Sequence, residues 1–439
     1  MSEFNAPKTN AEFEQNFAQI KPLMTDNQAY FESSRCLFCY DAPCVNACPT
    51  GIDIPLFIKQ IHSKNTLGAA QTIYNSNFFG YACGKVCPTE VLCEGACVYN
   101  LQEVPPIEIG RLQTFATDKA IRSDKKLFQL APSNGRKAAV IGAGPAGISF
   151  ACEMRIAGFE VEIFETKEKP SGLTVYGVAP YKITNEEALD EMDYLRKQFG
   201  FKVHYSHPVT TARNIEHLES EFEVIFLGIG LGITSDLGIP GEEKEGVTGA
   251  VEFVERLRMG HHEITVPKNV VVLGGGNTAM DAASESARMG AENVILAYRR
   301  GKEDMGAYEF EYDLAKSVGV KGLFNAAPIE ITGNGKVTGV RFIKTRMVNG
   351  KLENIPGSEF TEAADWVIKA TGQSKRSDFL AHISGLERDS KGCIKVNPET
   401  FQTTNPKYFA AGDAVSGGQE VVNAVANGKK AAQSVINYK

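Results

Sequence analysis

Eight cysteines lie close together near the start of this sequence. The first four are spaced Cys36-x2-Cys39-x4-Cys44-x3-Cys48, and the next four follow as Cys83-x3-Cys87 and Cys93-x3-Cys97. Disulfide frameworks are typical of short secreted chains, and this chain has 439 residues. Thiolates are soft ligands, so the pattern indicates metal ligation, either by iron–sulfur clusters or by zinc.

The first cysteine run favours clusters over zinc. It ends in Cys48-Pro49, and bacterial ferredoxin runs also end in Cys-Pro, with the last Cys ligating the other cluster. The middle spacing differs from that of ferredoxins, because x4 replaces x2. Zinc would favour two Cys-x2-Cys pairs, so a zinc-stabilised helical domain is the alternative. Cys152 and Cys393 stand alone among apolar neighbours and are expected to be core residues.

A first glycine-rich turn indicates a dinucleotide site. The apolar run Ala138–Ile141 predicts a buried strand, which leads into the turn Gly142-Ala143-Gly144-Pro145-Ala146-Gly147 and then a helix. Such glycines allow a tight turn and close backbone approach to a pyrophosphate at the helix N-terminus. The next predicted strand, Glu160–Phe164, is followed by Glu165, which is placed to accept a ribose hydroxyl hydrogen bond.

A second turn of the same type follows about 130 residues later. It reads Gly274-Gly275-Gly276-Asn277-Thr278-Ala279, with Ala at the third glycine position. The strand after its helix ends in Arg299-Arg300 in place of an acid. Arginine there can bind a 2′-phosphate, which favours NADPH, although a solvated strand end is the plain alternative.

Two further segments fit a flavoprotein that binds two nucleotides. These are Ala370-Thr371-Gly372 and Phe409-Ala-Ala-Gly412-Asp413, where the aspartate at a helix entry could bind a flavin ribitol. Flavin disulfide reductases carry a redox cysteine pair near one nucleotide site, but neither Gly172–Lys182 nor Gly274–Asp281 contains a cysteine. The clusters therefore remain as the acceptor of electrons from a reduced flavin.

Composition places these motifs in a globular protein of two or three domains. Apolar residues make up 43% and charged residues 23%, and the formal net charge of −7 argues against nucleic acid or an anionic membrane as partner. The first twenty residues contain Glu3, Glu12 and Glu14 and no apolar core of a secretory signal. No run of 18 apolar residues occurs, and the expected location is cytoplasmic.

The motifs divide the chain into blocks. The cysteine block, residues 1 to about 130, has helical patterning over Asn10–Ile20 and Ile54–Asn75 and no strand alternation. The polar stretch Ala131–Arg136 is predicted to be a linker. Two βαβ units follow, Lys137–Glu165 and Asn269–Arg300, each expected to belong to a parallel sheet covered by helices.

Almost the whole chain resembles the N-terminal half of dihydropyrimidine dehydrogenase and the small subunit of glutamate synthase. Four segments resemble the former more closely: Asp41–Cys44, Cys48-Pro-Thr-x-Ile-Asp-Ile54, Cys87-Pro-Thr89 and Ile109–Gln113. The resemblance implies an α/β protein with a helical double [4Fe–4S] domain over residues 1–130. It also implies an FAD domain over 131–232 and 373–439, with an NAD(P)H domain over 233–372 inserted in it.

The resemblance also implies a crossed set of cluster ligands. Cys36, Cys39, Cys44 and Cys97 would hold the first cluster. Cys48, Cys87, Cys93 and the side-chain oxygen of Gln113 would hold the second. Cys83 is the alternative eighth ligand, because it takes that role in glutamate synthase relatives, which lack the glutamine.

The same family places FAD on the first glycine turn and NAD(P)H on the second. The implied FAD residues are Gly142, Ala143, Gly144, Pro145, Ala146, Gly147, Glu165, Gly172, Leu173, Lys182, Val209, Gly412 and Asp413. The implied NAD(P) residues are Gly274, Gly275, Gly276, Asn277, Thr278, Arg299, Arg300, Ala370, Thr371 and Gly372.

Two departures from the family pattern bear on the nicotinamide site. Gly306 stands where the mammalian-type enzyme has a further arginine, and a missing positive charge weakens 2′-phosphate binding. Arg299 and Arg300 argue the other way, so the choice between NADH and NADPH stays open. Glu309-Phe-Glu311 replaces a frequent Pro-Glu-Glu, which leaves the role of Glu311 open.

The resemblance implies the function of an electron-input subunit of an NAD-dependent dihydropyrimidine dehydrogenase. NAD(P)H would reduce FAD, and two [4Fe–4S] clusters would pass electrons to an FMN- and cluster-containing partner that reduces uracil or thymine. No protein acid–base pair is required, so no catalytic residue is expected. The alternatives are a glutamate synthase small subunit, a similar subunit of another oxidoreductase, and a non-catalytic assembly module.

Overall fold

The computed structural model describes residues 4–123 and 125–437, and these form two compact units. The insertion unit takes in the residues up to Ala18, Tyr176–Tyr181 and Gly232–Ser374. The main unit takes in Gln19–Val175, Lys182–Leu231 and the residues from Lys375 onward. The two cysteine runs and the first glycine turn therefore belong to one unit, and the second glycine turn belongs to the other.

The cysteine block is helical, as predicted. Its described part contains α1 Asn10–Asn16, α2 Asp26–Ser34, α3 Pro43–Asn46, α4 Ile54–His62, α5 Thr66–Ser76, α6 Gly80–Val86 and α7 Ile109–Ser123, with short 3-10 turns at Thr89–Val91 and Val98–Gln102. Helix α1 ends four residues before the predicted Ile20. Apolar side chains of α4, α5 and α7, including Phe57, Ile73 and Leu112, form a buried core.

The predicted helical stretch Ile54–Asn75 is two helices. Lys64 has a φ of 61°, a left-handed conformation that an α-helix does not continue through. The side chain of Asn65 then accepts a hydrogen bond from the backbone N–H of Gly68 and caps α5. A new helix therefore begins at Thr66, two residues after the break.

The elements of the remaining chain alternate between strand and helix. The main unit continues with β1 Lys137–Ile141, α8 Pro145–Ile156, β2 Glu160–Phe164, α10 Asn185–Phe199, β3 Lys202–His204, α11 Ala212–Glu221 and β4 Val224–Leu227. Helix α9 Leu173–Tyr176 also belongs to it except for Tyr176, which begins a segment of the insertion unit. The insertion unit has β5 Val247–Gly249, α12 Ala250–Gly260, β6 Asn269–Leu273, α13 Asn277–Arg288, β7 Asn293–Tyr298, α14 Glu309–Ser317, β8 Lys321–Phe324, β9 Ala326–Thr332, β10 Gly339–Val348, β11 Lys351–Asn354, β12 Phe360–Ala363 and β13 Trp366–Lys369, with 3-10 turns at His261–Glu263 and Lys302–Asp304. The chain returns to the main unit with α15 Ser377–Leu380, β14 Tyr408–Ala410, α16 Asp413–Ser416 and α17 Val421–Asn437.

Each glycine turn opens from the middle of a parallel sheet. The main sheet has the order β14-β4-β1-β2-β3, and the larger sheet of the insertion unit has the order β5-β13-β6-β7-β8. Helices pack on both sheets, which confirms the predicted α/β architecture. A smaller antiparallel sheet of β9, β10, β11 and β12 was not predicted.

The predicted linker Ala131–Arg136 is bound to the main unit. The backbone N–H of Ala131 donates to the carbonyl of Ile156, and that of Asn134 donates to the carbonyl of Gly158. A Cβ at Gly158 would overlap the carbonyl oxygen of Pro132. This stretch therefore runs along the turn between α8 and β2.

Candidate functional site

Four cysteines line one apolar cavity. Cys36 and Cys39 lie in the loop after α2, Cys44 lies in α3, and Cys97 precedes the 3-10 turn at Val98–Gln102. The other lining residues are Leu37, Ala42, Pro43, Ile54, Pro55, Ile58, Ala96, Val98, Tyr99, Ile107 and Ile109. Soft sulfur donors around an apolar space fit an iron–sulfur cluster. These are the four residues predicted to hold the first cluster.

A second group contains Cys48, Cys83, Cys87 and Cys93. Cys87 forms a hydrogen bond with Cys83 and is within electrostatic range of Cys93 and Cys48. Cys83 lies in α6, and Cys87 is the residue that ends this helix. Cys93 is also within electrostatic range of Cys44, so the two groups are neighbours. The structure thus brings together the three cysteines predicted for the second cluster, and Cys83 with them.

Burial raises the pKa of several of these thiols. The pKa of Cys44 rises to about 12, and those of Cys36 and Cys93 rise for the same reason. The hydrogen bond with Cys83, together with burial, raises the pKa of Cys87. Metal coordination deprotonates a thiol outright, so bound iron would offset this cost.

Gln113 is buried in α7, which packs against α6. Its amide nitrogen Nε2 donates to the carbonyl oxygen of Gly80 at 2.6 Å. A glutamine can ligate a metal only through its carbonyl oxygen, and this hydrogen bond leaves Oε1 for that purpose. The choice between Gln113 and Cys83 stays a prediction.

The first glycine turn leads from β1 into α8 as predicted. A Cβ at Gly147 would overlap the carbonyl oxygen of Gly142, so this helix packs tightly on its own turn. Around Gly144, the N-cap of α8, the nearest atom to a Cβ would be the Cα of Gly172, 4.0 Å away. Pro145 occupies the first helical position, where its missing N–H costs no hydrogen bond. The open space at Gly144 fits a pyrophosphate at the helix N-terminus.

Glu165 lies directly after β2 and holds the turn. One carboxylate oxygen accepts from the backbone N–H of Ala143 at 2.7 Å, and the other accepts from that of Lys167 at 2.7 Å. Each oxygen retains a lone pair, so the predicted bond to a ribose hydroxyl remains compatible with this geometry. Its role as a ribose ligand stays a prediction.

The C-terminal segment adds Gly412 and Asp413 to the same region. Gly412 has a φ of 72°, and a Cβ there would lie 3.2 Å from that of Ala146 in α8. Burial raises the pKa of the Asp413 carboxyl, while a bond from the Gln419 N–H and the charge of Lys375 oppose this. Of the other predicted FAD residues, Lys182 and Val209 are buried and Leu173 is partly exposed.

The second glycine turn joins β6 to α13. A Cβ at Gly274 would overlap the carbonyl oxygen of Ala370, and one at Gly275 would lie 2.6 Å from the ring of Tyr298. In contrast, no atom lies within 4 Å of a Cβ built at Gly276. Gly276 is also the N-cap of α13, where backbone N–H groups can bind a phosphate.

A short loop covers this turn. The backbone N–H of Ala307 donates to the carbonyl of Gly275 at 2.9 Å, and that of Tyr308 donates to the side chain of Asn277 at 3.0 Å. The nearest atom to a Cβ at Gly306 would be the Gly275 carbonyl oxygen, 4.0 Å away. A longer side chain at Gly306 would therefore start beside the predicted dinucleotide.

The arginine pair follows β7 at the carboxyl edge of the sheet. Arg299 is exposed and Arg300 is half-buried. Their backbone carbonyls accept bonds from the hydroxyl of Thr345 and the N–H of Asn325. Within the described chain, neither guanidinium has a carboxylate within 4.0 Å. Thr278, Thr371 and Gly372 are also exposed at this site.

Three side chains that the sequence analysis did not single out lie close to these sites. The Nε of Arg376 donates to the carbonyl of Ile229 at 2.9 Å. The Arg376 guanidinium also interacts electrostatically with Glu165 in the predicted adenosine region. Glu187 and Glu191 project from α10 onto α6. Only their four-residue spacing could have indicated that they share a helix face.

The remaining cysteines, Cys152 and Cys393, are buried as predicted. Among residues 4–123 and 125–437, no three His, Cys, Asp or Glu side chains are arranged to hold a single metal ion. No helix within the part that the structure describes is long and apolar enough to cross a membrane.

Comparisons with known proteins cover both parts of the chain. Residues 13–125 match the family described as dihydropyrimidine dehydrogenase domain II, 4Fe-4S cluster, and residues 136–428 match the pyridine nucleotide-disulphide oxidoreductase family. The chain is 34% identical to the NAD-dependent dihydropyrimidine dehydrogenase subunit PreT of Escherichia coli K12, over 97% of this chain and 98% of that one. It is also 34% identical to the glutamate synthase [NADPH] small chain of the same organism, over 96% and 94%.

Solved structures agree on the fold. Thioredoxin reductase of T. acidophilum superposes with a TM-score of 0.54 at 24% identity, covering 69% of this chain and 98% of that one. FprA of Mycobacterium tuberculosis in complex with NADPH has a TM-score of 0.56 at 18% identity, covering 70% and 85%. At these identities the likeness concerns the fold alone.

Proposed function

The chain belongs to the family of flavin and iron–sulfur electron-input subunits that includes PreT and the glutamate synthase small chain, and from that premise we propose that it serves an FMN-containing partner that reduces uracil or thymine to the 5,6-dihydropyrimidine. The observation that carries the proposal is the 34% identity to PreT over 97% of the chain. This sequence identity extends through both the cysteine block and the two glycine turns.

The bound groups would supply the chemistry. NAD(P)H would donate a hydride, FAD would convert it to single electrons, and two [4Fe–4S] clusters would transfer these electrons to the partner. The protein's own residues bind and orient these groups. Gly144 and Gly276 would leave room for the two pyrophosphates, each at a helix N-terminus. The two cysteine groups would hold the clusters side by side in the main unit.

The assignment of individual residues is part of the proposal. The FAD, NAD(P) and cluster residues named from the resemblance are retained, as are the domain boundaries at 130, 232 and 372. Two clusters are proposed because the cysteines fall into two groups of four. The preference between NADH and NADPH is left to experiment, since Arg299 and Gly306 favour opposite answers.

Glutamate synthase small chain is the second candidate. The equal identity of 34% to that relative supports it. In that case the partner would be a large amidotransferase subunit and the product glutamate. The presence of Gln113, which the resemblance assigns to the dihydropyrimidine dehydrogenase group, favours the first candidate.

Reconstitution with each partner tests the proposal. The purified holoprotein is assayed alone, with an FMN-containing dihydropyrimidine dehydrogenase subunit, and with a glutamate synthase large subunit. We expect NAD(P)H-dependent dye reduction by the chain alone, and uracil reduction only with the FMN subunit. Uracil turnover by the chain alone would contradict the division of labour, and glutamate formation without pyrimidine turnover would favour the second candidate.

A further inference from the structure

Helix α6 carries Cys83, is followed by Cys87 as its C-cap, and has no side-chain hydrogen bond at its N-cap. The residue before it is Phe79, whose side chain cannot accept a hydrogen bond. The first N–H groups of a helix lack partners inside the helix and need an acceptor when they are buried. Tyr81 and Ala82 in this first turn are 3% and 1% exposed.

The missing acceptor comes from the flavin domain. The carboxylate of Glu191 in α10 accepts from the backbone N–H of Tyr81 at 2.6 Å and from that of Ala82 at 2.9 Å. It also accepts from the hydroxyl of Tyr74 in α5 at 3.2 Å. Glu191 is 1% exposed, so all three bonds lie away from water. Charge-assisted bonds of this kind are stronger than neutral ones.

A second contact joins the same two helices. Glu187, one turn before Glu191, pairs with the buried ammonium of Lys85 at 3.0 Å and accepts from the hydroxyl of Tyr81 at 2.7 Å. On its other side α6 meets α7, where a Cβ at Gly110 would lie 2.7 Å from the carbonyl oxygen of Gly84. Helix α6 is therefore fixed between α7 of the cluster domain and α10 of the flavin domain.

We propose that Glu191 is a positioning residue, which fixes α6 and its cysteines against the flavin domain. It thereby sets the reduction potential of the cluster at the second cysteine group and the rate at which that cluster receives electrons. This inference rests on the proposed function, because it assumes a cluster at Cys48, Cys87 and Cys93. Hydrogen bonds and net charge around a cluster set its reduction potential. Electron transfer also slows steeply as the two redox groups move apart.

The Glu191 carboxylate bonds to the N–H of Ala82, the residue before Cys83, so its charge would also couple the reduction of a cluster in this group to a proton. Burial raises the pKa of Glu191 to about 7, and the three hydrogen bonds oppose this rise. Adding an electron nearby favours the protonated form, so the potential should fall as the pH rises above 7. Three groups interact electrostatically with Glu191: Tyr74 of α5, Tyr81 of α6 and Cys152 of α8. Around these, Tyr194 of α10 acts on Tyr74, Glu187 of α10 and Asp118 of α7 act on Tyr81, and Glu153 of α8 and Lys429 of α17 act on Cys152.

Most of these neighbours keep one charge state near neutral pH. Burial raises the pKa of Tyr74, Tyr81 and Cys152, so these groups stay neutral. The charge of Lys85 helps to lower the pKa of Glu187 against the effect of its burial, so that carboxylate stays ionised. Glu191 is the proposed site of the proton because its carboxylate bonds directly to the backbone of α6 and burial raises its pKa to about 7.

The test compares the full holoprotein with E191Q and with E186Q, which makes the same change at an exposed position of the same helix. Cluster potentials are measured by electron paramagnetic resonance in dithionite titrations at about pH 6, 7 and 8. Electron transfer from flavin to cluster is followed by rapid mixing with NAD(P)H. Iron and flavin contents are measured for every variant.

We expect E186Q to match the wild type. In E191Q, the potential of the second cluster should be higher and nearly independent of pH, and electron transfer to it slower by about tenfold or more. A wild-type potential, pH dependence and rate in E191Q would overturn the proposal. If E191Q fails to incorporate iron, Y74F takes its place in the test, because it removes only the bond from the Tyr74 hydroxyl to Glu191. An unchanged cluster potential in Y74F would then overturn the proposal.

If the proposed function is wrong, the experiment gives a result different from the one expected if only the role of Glu191 is wrong. A flavin that NAD(P)H does not bleach would contradict the proposed electron input. Dithionite titration needs no nicotinamide, so it would still test Glu191 in that case.

Discussion

Gln113 donates a hydrogen bond from its amide nitrogen to the backbone carbonyl of Gly80, one helix away, at 2.6 Å. This bond orients the side chain and leaves the amide oxygen for a metal. We therefore expect Q113A to lose one of two clusters, with roughly half of the bound iron. C83S should keep all of the bound iron. Iron analysis and electron paramagnetic resonance of both variants provide the measurement.

Exposed Gln102, replaced by alanine, is the control for Q113A. Iron loss in C83S together with full iron in Q113A would exchange the roles of the two residues. The second cysteine group would then hold a cluster with four cysteines.

The second prediction concerns Gly276, where a Cβ meets no protein atom within 4 Å. G276A should fold with an unchanged Tm, but its KM for the nicotinamide dinucleotide should rise by about tenfold or more, because the methyl group would occupy the space proposed for the pyrophosphate. Steady-state dye reduction and thermal melting provide the measurement.

G144A is the matched control for G276A, because it changes the equivalent N-cap in the main unit. It should lower the flavin content and leave nicotinamide binding by the remaining holoprotein unchanged. An unchanged KM in G276A would place the dinucleotide elsewhere.

The third prediction concerns coenzyme choice. Gly306 lies over the second glycine turn with open space around it and a φ that other residues can adopt. G306R would add a guanidinium there, and kcat/KM for NADPH relative to NADH should rise by about tenfold. G306Q tests length without charge and should leave the ratio unchanged. An unchanged ratio in G306R would show that the 2′ position lies out of its reach.

The fourth prediction concerns pH and stability. Burial raises the pKa of Glu191 from its ordinary value of 4.5 to about 7 in the folded protein. A group with a raised folded pKa stabilises the fold below its unfolded pKa, and this contribution is lost as the pH rises through the folded pKa. The stability of the wild type relative to E191Q should therefore fall by about 1.4 kcal/mol per pH unit between these values.

Thermal melting of both proteins from about pH 5 to about pH 8 measures this difference. E186Q again serves as the control. A gap in Tm between wild type and E191Q that does not vary with pH would mean that Glu191 keeps one charge state over this range.

The sequence predicted the parts of the fold that depend on short-range patterns. Strand β2 has the predicted bounds Glu160–Phe164, and β1 starts one residue before the predicted Ala138. Strand β1 is a short apolar run that leads into a glycine turn, and burial on both faces gives a parallel strand this composition. In β2, buried Val161 and Ile163 alternate with more exposed residues, which is the period of a strand. The break at Lys64 was missed because apolar periodicity continues on both sides of it.

The grouping of the cysteines was less accessible to sequence reasoning. Spacing indicated metal ligation, but the partition that puts Cys97 with Cys36 came only from the family resemblance. Glu191 could not have been singled out, because a glutamate in a helix is usually exposed. Its burial follows from the packing of α10 against α6, and that packing is a tertiary property.

We propose that electrons from a nicotinamide dinucleotide pass through flavin to clusters within this one chain. Anaerobic titration of the purified holoprotein with NADH and with NADPH tests it most directly, with flavin absorbance and the resonance signal of reduced clusters recorded together. We expect the flavin to bleach, the cluster signal to appear, and added uracil not to be consumed. A bleached flavin with clusters that stay oxidised would contradict it.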